Sequence, residues 1–165
     1  LVLLVTVLAL NLSSAQITKT VDTMSDEITF TTSNHITGSD STFNSRSFVM
    51  YLSLKADGDS AEIQGLAVII EGLSCVESVE AIILLEDGNK LKMTSWNKFN
   101  CKGYAFFDIT DKDINMLSNS PVSKVKFTNG RNYRTILSAT SKKQSTVFVK
   151  NISDIKNNFY KTVTE

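Results

Sequence analysis

The sequence predicts a mainly β domain, a two-layer antiparallel β-sandwich that is immunoglobulin-like in outline, with one short internal helix and a C-terminal amphipathic helix. Apolar and polar residues alternate over residues 47–56, which is the period of a half-buried strand. Turn-forming pairs such as Asp87-Gly88 separate about eight short apolar runs of this kind. Apolar residues recur at helical spacing at 110–121 and again in the tail, 151–165.

Residues 1–15 predict a secretory signal peptide. The run 1–10 is apolar apart from one threonine, and the small residues Ser13 and Ala15 occupy the positions that a signal peptidase reads. We therefore expect cleavage after Ala15 and a mature start at Gln16. The run is shorter than the roughly 18 to 20 apolar residues that cross a bilayer, so we expect no transmembrane anchor after cleavage. The missing initiator Met and basic n-region indicate that the sequence begins a few residues late.

This cleavage zone of small residues followed by Gln16 resembles the signal peptides of Bacteroidota. The resemblance covers the leader alone and implies a bacterial, exported protein. We therefore expect the protein in the periplasm, on the outer cell surface or secreted.

The remainder of the chain is long enough for one domain with one modest core. Residues 16–46 are predicted to form a polar N-terminal segment with one strand at 27–32 and otherwise a loop. Residues 47–150 supply the β-sandwich core, and residues 151–165 supply the C-terminal helix.

The predicted strands follow one another along the chain. The run 81–85 is apolar on both faces, which is typical of a central strand. Gly65 predicts a bulge or a bend within its strand. In chain order the strands are 27–32, 47–56, 61–72, 81–85, 90–96, 104–109, 122–128, 132–139 and 145–149.

Local signals predict the internal helix and a second hairpin. Thr110 and Asp113 match a capping box at the helix start, and Pro121 ends the helical pattern. The pair Asn129-Gly130 predicts a short hairpin loop, 129–131, between the strands on either side of it.

The chain contains two cysteines, Cys75 and Cys101, and we predict that they form a disulfide. If the hairpin loop is the three residues Asp87–Asn89, the register places Cys75 opposite Cys101, and a two-residue loop leaves them diagonal neighbours. Export would supply the oxidising compartment in which the bond persists. Two inert thiols or one reactive thiol are the alternatives. The single histidine, His35, lies far away in a polar loop, and no second Cys or His pair completes a zinc site.

The aromatic residues Trp96, Phe99 and Tyr104 bracket Cys101 in the sequence. Exposed aromatic rings near a loop can stack on sugars or contact a protein partner, which makes these three the candidate partner contacts. The competing interpretation is that they pack over the disulfide at one end of the sandwich.

A candidate basic strip consists of Lys124, Lys126, Arg131 and Arg134. If these residues lie on neighbouring strands, they would suit an acidic polysaccharide or a lipid headgroup. The competing interpretation is a solvated strand face, on which lysines discourage aggregation.

We expect no cofactor and no metal site. The weak Ca²⁺ candidate is the acidic group Asp57, Asp59 and Glu62, whose carboxylates are hard oxygen ligands. The group lacks the ligand spacing of an EF-hand loop, and a hairpin turn explains the same residues.

The charge balance and the lack of catalytic motifs favour a binding or structural protein. The 17 basic and 17 acidic residues cancel, which leaves no global field to attract nucleic acid. One histidine and no nucleophile motif favour a non-catalytic domain. We therefore expect an exported β-rich domain with a binding or structural role at the bacterial cell envelope, whose partner is an envelope protein or a carbohydrate.

Two alternatives remain open from the sequence. One is an acid-dependent hydrolase that uses carboxylates, such as Asp57 with Glu62. The other is a secreted inhibitor or effector that inserts the loop 33–46 into a partner, with Phe43 as its apolar tip.

Overall fold

The described part of the chain forms two sheets, antiparallel apart from one short pair, and two helices, which confirms the predicted fold class. The computed structural model describes residues 17–21, 24, 28–32, 35–40, 42–43, 45–57 and 60–164. The predicted signal peptide, residues 1–15, lies outside the described residues. In chain order the elements are β1 Ile17–Val21, β2 Ile28–Thr32, β3 Ile36–Ser39, β4 Ser47–Asp57, β5 Ser60–Glu71, β6 Glu80–Leu85, β7 Lys90–Thr94, β8 Tyr104–Asp108, α1 Asp111–Asn119, β9 Val122–Thr128, β10 Thr135–Ala139, α2 Lys142–Thr162 and β11 Val163–Thr164.

Sheet 1 has the strand order β11-β1-β2-β4-β5-β8, and β3 also pairs with β4. All of its pairs are antiparallel except β1 with β11. Sheet 2 has the order β10-β9-β6-β7 and is antiparallel throughout. The central position of β6 in sheet 2 confirms the interpretation of the apolar run at 81–85.

The two sheets pack through large apolar side chains that alternate along their strands. Phe48 on β4 meets Phe127 on β9 edge to face, with ring centroids 5.1 Å apart. Phe107 on β8 also reaches Phe127, at 6.4 Å between centroids. All three are buried, and each such ring stabilises the fold by about 1.5–3 kcal/mol relative to exposure. The core therefore lies between the sheets.

Gly65 lies at a bulge, as predicted. The β4–β5 ladder pairs Ser53 with Gly65 and then Leu54 with Ile63, which leaves one residue of β5 without an opposite number. A Cβ on Gly65 would lie 2.2 Å from the carbonyl oxygen of Phe107 on the neighbouring strand. The close approach of two backbones therefore requires glycine at this position.

Helix α1 also begins as predicted. The Thr110 hydroxyl accepts from the Asp113 backbone N–H at 3.2 Å, and the Asp113 carboxylate accepts from the Thr110 backbone N–H at 2.9 Å. This reciprocal pair satisfies two N–H groups that a helix start otherwise leaves unpaired.

The predicted strand at 145–149 is wrong, because this segment belongs to α2. The helix begins at Lys142, nine residues before the predicted start of the C-terminal helix. Phe148, Ile152 and Ile155 recur at helical spacing and are buried in the core. Val147 and Val149 gave the segment a strand-like composition, which the packing of the helix overrides.

The polar segment 16–46 contributes more structure than predicted. It contains β1 and β3 in addition to the expected β2. On β3, Ile36 pairs with Met50 of β4, and the Ile36 side chain is fully buried. The segment is therefore part of sheet 1.

The predicted hairpin at Asn129-Gly130 joins the correct strands through a different loop. β9 and β10 are antiparallel neighbours, with Thr128 opposite Thr135, so the loop spans 129–134 and is longer than 129–131. Asn129 is fully buried and does not occupy an exposed turn.

Candidate functional site

The disulfide between Cys75 and Cys101 is present, as predicted. The two Cα atoms are 3.8 Å apart, and both cysteines of the chain are used. The bond closes the loop between β7 and β8 against the segment that precedes β6.

The hairpin register from which this disulfide was predicted is wrong, because the loop lies one residue earlier in the chain than predicted. Leu85 N–H donates to the Asn89 carbonyl at 2.9 Å, so the hairpin loop is 86–88 and not 87–89. Extended along the β6–β7 ladder, this register would not place the two cysteines opposite each other.

Two extra residues in the chain after β7 bring the two cysteines opposite each other again. Ser95 still follows the β6–β7 register, because its N–H donates to the Val79 carbonyl at 2.8 Å. The next pairing is the isolated bridge between Val76 and Asn100. Two residues separate Val76 from Val79, whereas four separate Ser95 from Asn100. The irregular stretch 96–99 absorbs the difference.

The chain changes sheets within this stretch. Ser95 continues the pairing of sheet 2, since its hydroxyl accepts from the N–H of Val79, the residue before β6, at 2.9 Å. The next residue, Trp96, donates its N–H to the Phe106 carbonyl of β8 in sheet 1 at 3.0 Å. The segment from Trp96 onward therefore lies along the free edge of β8.

Two asparagine side chains satisfy the outer edge of β8. Asn97 accepts from Phe106 N–H at 2.8 Å and donates to the Tyr104 carbonyl at 2.9 Å. Asn100 accepts from Tyr104 N–H at 3.1 Å and donates to the same carbonyl at 2.9 Å. An edge strand with unpaired backbone groups can pair with a strand of another chain. Here the two asparagine side chains are already hydrogen-bonded to the backbone groups that such pairing would need.

A row of aromatic rings projects from the same edge. Phe106 lies between Trp96 and Tyr104, with centroid distances of 5.5 Å and 6.2 Å and interplanar angles of 25° and 11°. Trp96 is 62% exposed and Tyr104 is 36% exposed. Strand alternation places Tyr104 and Phe106 on the outer face of sheet 1, since Ala105 and Phe107 are buried inside.

Neighbouring strands extend this row into a larger apolar surface. Tyr104 lies opposite Ile69 of β5, which lies opposite Val49 of β4. Phe106 lies opposite Ala67, which lies opposite Tyr51, and partial burial followed by the proximity of Tyr104 raises the pKa of Tyr51. We call this surface the aromatic face, and it consists of Val49, Tyr51, Ile69, Trp96, Tyr104 and Phe106.

The predicted partner contacts are only partly brought together. Trp96 and Tyr104 share the aromatic face through Phe106, which is not among the contacts predicted from the sequence. Phe99 lies apart from this row, with the Arg131 guanidinium 4.6 Å from its ring centroid. The strand pattern at 104–108 could have identified Phe106, because alternate residues of a strand share one face and Phe106 is two positions from Tyr104.

The candidate basic strip divides into two places. Lys124 and Lys126 project from the outer face of sheet 2, where both are exposed. Arg131 and Arg134 lie in the loop between β9 and β10 and do not continue that face.

Two residues of the weak Ca²⁺ candidate, Asp57 and Glu62, lie on the two strands of the β4–β5 hairpin. Asp57 pairs with Ser60 across the hairpin, Glu62 is exposed on β5, and Asp59 lies outside the described residues. Within the described part of the chain, no group of three His, Cys, Asp or Glu side chains is placed to hold a metal ion.

Asp40 has a structural role in the segment 33–46. Its side chain is 5% exposed and accepts from the backbone N–H groups of Leu137 at 3.0 Å, Thr42 at 2.7 Å and Phe43 at 3.0 Å. These hydrogen bonds, with that of Leu137 the largest contribution, lower the pKa of the Asp40 carboxyl. The carboxylate thus ties the loop between β3 and β4 to β10 of sheet 2.

The proposed apolar tip of this loop is held by a neighbouring cation. The Arg46 guanidinium lies 3.9 Å from the ring centroid of Phe43 and donates to the Thr135 carbonyl at 3.1 Å. Phe43 remains 48% exposed.

His35 faces an open groove of about 420 Å³. The groove is also lined by Ser141 and by the helix residues Lys143, Gln144 and Val147. The Asp40 carboxylate accepts from three backbone N–H groups, and no hydrogen bond joins the described residues Asp40 and His35.

Comparison with family models, with curated proteins and with solved structures gives no match for this chain. None of the helices in the described part is long and apolar enough to span a bilayer. The fold and the surfaces described above therefore define the protein as a disulfide-bonded β-sandwich with an exposed aromatic face.

Proposed function

We propose that this protein is an exported, non-catalytic binding domain of the bacterial cell envelope, and that it recognises a protein partner through the aromatic face. The observation that carries the proposal is the row of Trp96, Phe106 and Tyr104, whose outer members are 62% and 36% exposed. Trp and Tyr are enriched among the residues that dominate the affinity of protein–protein interfaces.

The surroundings of the aromatic face suit this role. Polar residues flank its apolar residues at both ends. Asp108 lies at one end, and at the other end the Ser47 hydroxyl donates a hydrogen bond to the Glu71 carboxylate at 2.7 Å. An apolar centre with a polar rim is the usual anatomy of a protein interface. Because Asn97 and Asn100 occupy the backbone groups of the β8 edge, recognition proceeds through side chains and not through strand addition.

The disulfide supports export, because such bonds persist in oxidising compartments and are rare where thiols are kept reduced. The leader-like residues 1–15 support the same conclusion. A non-catalytic role is supported by the backbone bonding of Asp40, which leaves the exposed His35 without a carboxylate partner from that residue.

Site-specific photocrosslinking tests the proposal in cells of the source bacterium. A benzophenone amino acid replaces Trp96 in one strain and Tyr133, an aromatic residue that is 81% exposed in a different loop, in a control strain. We expect a discrete protein adduct from position 96 only. The adduct partner is then purified, and its Kd for the wild-type domain is compared with that for Tyr104→Ala, where we expect about tenfold or greater weakening.

Two results would refute the proposal. One is an equal adduct pattern from both positions, and the other is an unchanged Kd for Tyr104→Ala with the purified partner. If the domain instead binds a glycan and this binding requires Trp96, the aromatic face would be assigned to carbohydrate recognition.

A further inference from the structure

The outer face of sheet 2 carries four lysines that surround two aliphatic side chains. The central strand β6 pairs with β7 on one side and with β9 on the other, which fixes the residues that lie beside each other. The first row across the strands is Lys92, Ile82 and Lys126, and the second row is Lys90, Leu84 and Lys124.

All four lysines are exposed, whereas Ile82 and Leu84 are half-buried. Adjacent strands lie about 4.8 Å apart, so the lysines of β7 and β9 start about 10 Å apart, and lysines two positions apart on one strand start about 7 Å apart. Lysine side chains are longer than those of isoleucine and leucine, so the exposed lysines of β7 and β9 flank the two half-buried aliphatic residues as two walls. We call this arrangement the lysine trough: Lys90, Lys92, Lys124 and Lys126 around Ile82 and Leu84.

The acidic residues nearby do not neutralise the trough. Along the outward positions of β6, β7 and β9, the only carboxylate is Glu80, at the far end of β6. Two more carboxylates lie at the β6–β7 turn. Glu86 is 3.6 Å from Lys142, a fifth lysine near the same end, and Asp87 accepts hydrogen bonds from the backbone and side-chain N–H groups of Asn89 at 2.9 Å. The four lysines therefore present a local positive charge on a protein with no net charge.

We propose that the lysine trough binds an acidic polysaccharide, a linear chain of sugars that carry carboxylate or sulfate groups. The anionic groups would pair with the ammonium groups of the two walls, and the C–H faces of the sugar rings would pack on Ile82 and Leu84. The site lies on the opposite side of the sandwich from the aromatic face and does not depend on the function proposed for that face.

The shape of the trough favours a linear chain over a membrane. A planar lipid surface would contact the lysine tips and would not reach the recessed floor. The most exposed apolar side chain of this sheet, Leu137 at 43%, lies on β10 outside the trough. The floor is aliphatic, so it lacks the aromatic rings on which nucleic acid bases stack.

Binding of polygalacturonate to the full chain tests the inference. We expect binding that weakens as salt is raised, and a loss of about tenfold or more when Lys90, Lys92, Lys124 and Lys126 are all replaced by Gln, because each exposed ion pair contributes a few-fold at most. The matched control replaces Lys98, Lys102, Lys112 and Lys143 by Gln, which removes the same charge from exposed positions elsewhere. We expect the control to bind within about threefold of wild type.

A second variant tests the floor separately from the charge. Leu84→Thr leaves all four lysines in place and removes apolar contact, and we expect it to weaken binding of the polymer without changing the salt dependence. Circular dichroism of each variant verifies that the fold is intact.

Three results would overturn the inference. The first is no salt-dependent binding of polygalacturonate by the wild type. The second is an equal loss in the two quadruple variants. The third is tighter binding to phosphatidylglycerol vesicles or to duplex DNA than to the polymer, which would assign the lysines to a membrane or to nucleic acid.

Discussion

Val76 and Asn100 exchange two backbone hydrogen bonds, of 2.8 Å and 3.0 Å, one residue inside the disulfide. The bridge and the disulfide together clamp the segment before β6 to the segment before β8. The clamp holds the residues that carry Trp96 and the two edge asparagines, so it supports the aromatic face as well as the core.

Removal of the disulfide should destabilise the protein without abolishing the fold. The bond joins positions 26 residues apart. Its loss in the double variant Cys75→Ala, Cys101→Ala should lower the free energy of unfolding by about 3–4 kcal/mol, through the entropy of the unfolded chain. Urea denaturation with and without dithiothreitol measures the effect. The wild type should respond to the reductant, whereas the double variant should not. A wild type that is insensitive to reduction would contradict the prediction.

Replacement of the edge asparagines should open β8. Asn97→Ala with Asn100→Ala removes the side-chain partners of Tyr104 and Phe106, and each lost hydrogen bond should cost about 1 kcal/mol. The amides of Tyr104 and Phe106 should exchange with deuterium faster than in the wild type. The control is Asn119→Ala, which removes a side-chain donor from the end of α1. Faster exchange at β8 in the control would count against a local role of the asparagines.

Asp40 should make the stability depend on pH in the acidic range. Its carboxylate accepts hydrogen bonds from Leu137, Thr42 and Phe43, and its pKa is lowered from 3.8. A carboxyl whose pKa is lower in the folded state contributes its full stabilisation above the unfolded pKa and loses it as the pH falls through the folded pKa. We therefore expect this stabilisation to be present at neutral pH and to disappear on acidification below 3.8.

Asp40→Asn isolates this contribution. At neutral pH the variant should be less stable by about 1–3 kcal/mol, and the difference from wild type should shrink in acid. Thermal unfolding at several pH values measures both quantities. Asp108→Asn removes a carboxylate from an exposed position on β8 and serves as the control. A difference between wild type and Asp40→Asn that does not vary with pH would exclude the carboxylate charge as its cause.

Asn129 should be among the most sensitive polar positions. Its buried side chain accepts from Glu77 N–H at 3.2 Å and donates to the carbonyls of Cys75 at 2.9 Å and Leu73 at 3.4 Å. Asn129→Ala would remove the side-chain partner of Glu77 N–H and of the Cys75 carbonyl, and should cost about 2–4 kcal/mol. The Leu73 carbonyl would still accept from the Asn132 amide at 3.4 Å. The neighbouring exposed Asn132 provides a matched control, for which Ala should cost less than about 1 kcal/mol. Equal losses in urea denaturation would contradict a special role for Asn129.

Features governed by neighbours in the sequence were predictable. The capping box at Thr110 and Asp113 follows from residue types three positions apart, and the bulge at Gly65 follows from a glycine within a strand pattern. The disulfide was predicted correctly from an incorrect register. The true hairpin loop shifts the pairing by two residues, and the two extra residues in 96–99 shift it back, so Cys75 again lies opposite Cys101.

Features that depend on distant pairing were not predictable. The alternation of Lys90 and Lys92 places them on one face of β7, and the same holds for Lys124 and Lys126 on β9. Their assembly into one trough depends on β6 pairing with β9, across a stretch of chain that passes through sheet 1 and α1. The residues at 145–149 illustrate the same limit, since burial of Phe148 by the core favours helix over the strand-like composition.

The chain passes from one layer to the other between Ser95 and Trp96, and this passage couples the two layers mechanically. Ser95 is bonded to Val79, the residue before β6 of sheet 2, and Trp96 is bonded to Phe106 in sheet 1. The hydrogen bonds from Leu137 N–H to the Asp40 carboxylate and from Arg46 to the Thr135 carbonyl join the same two layers at another place. A load that slides one layer past the other is therefore shared between these connections and the packed core. Because the layers are joined at these places, we expect an attachment on either outer face to transmit force to the other layer.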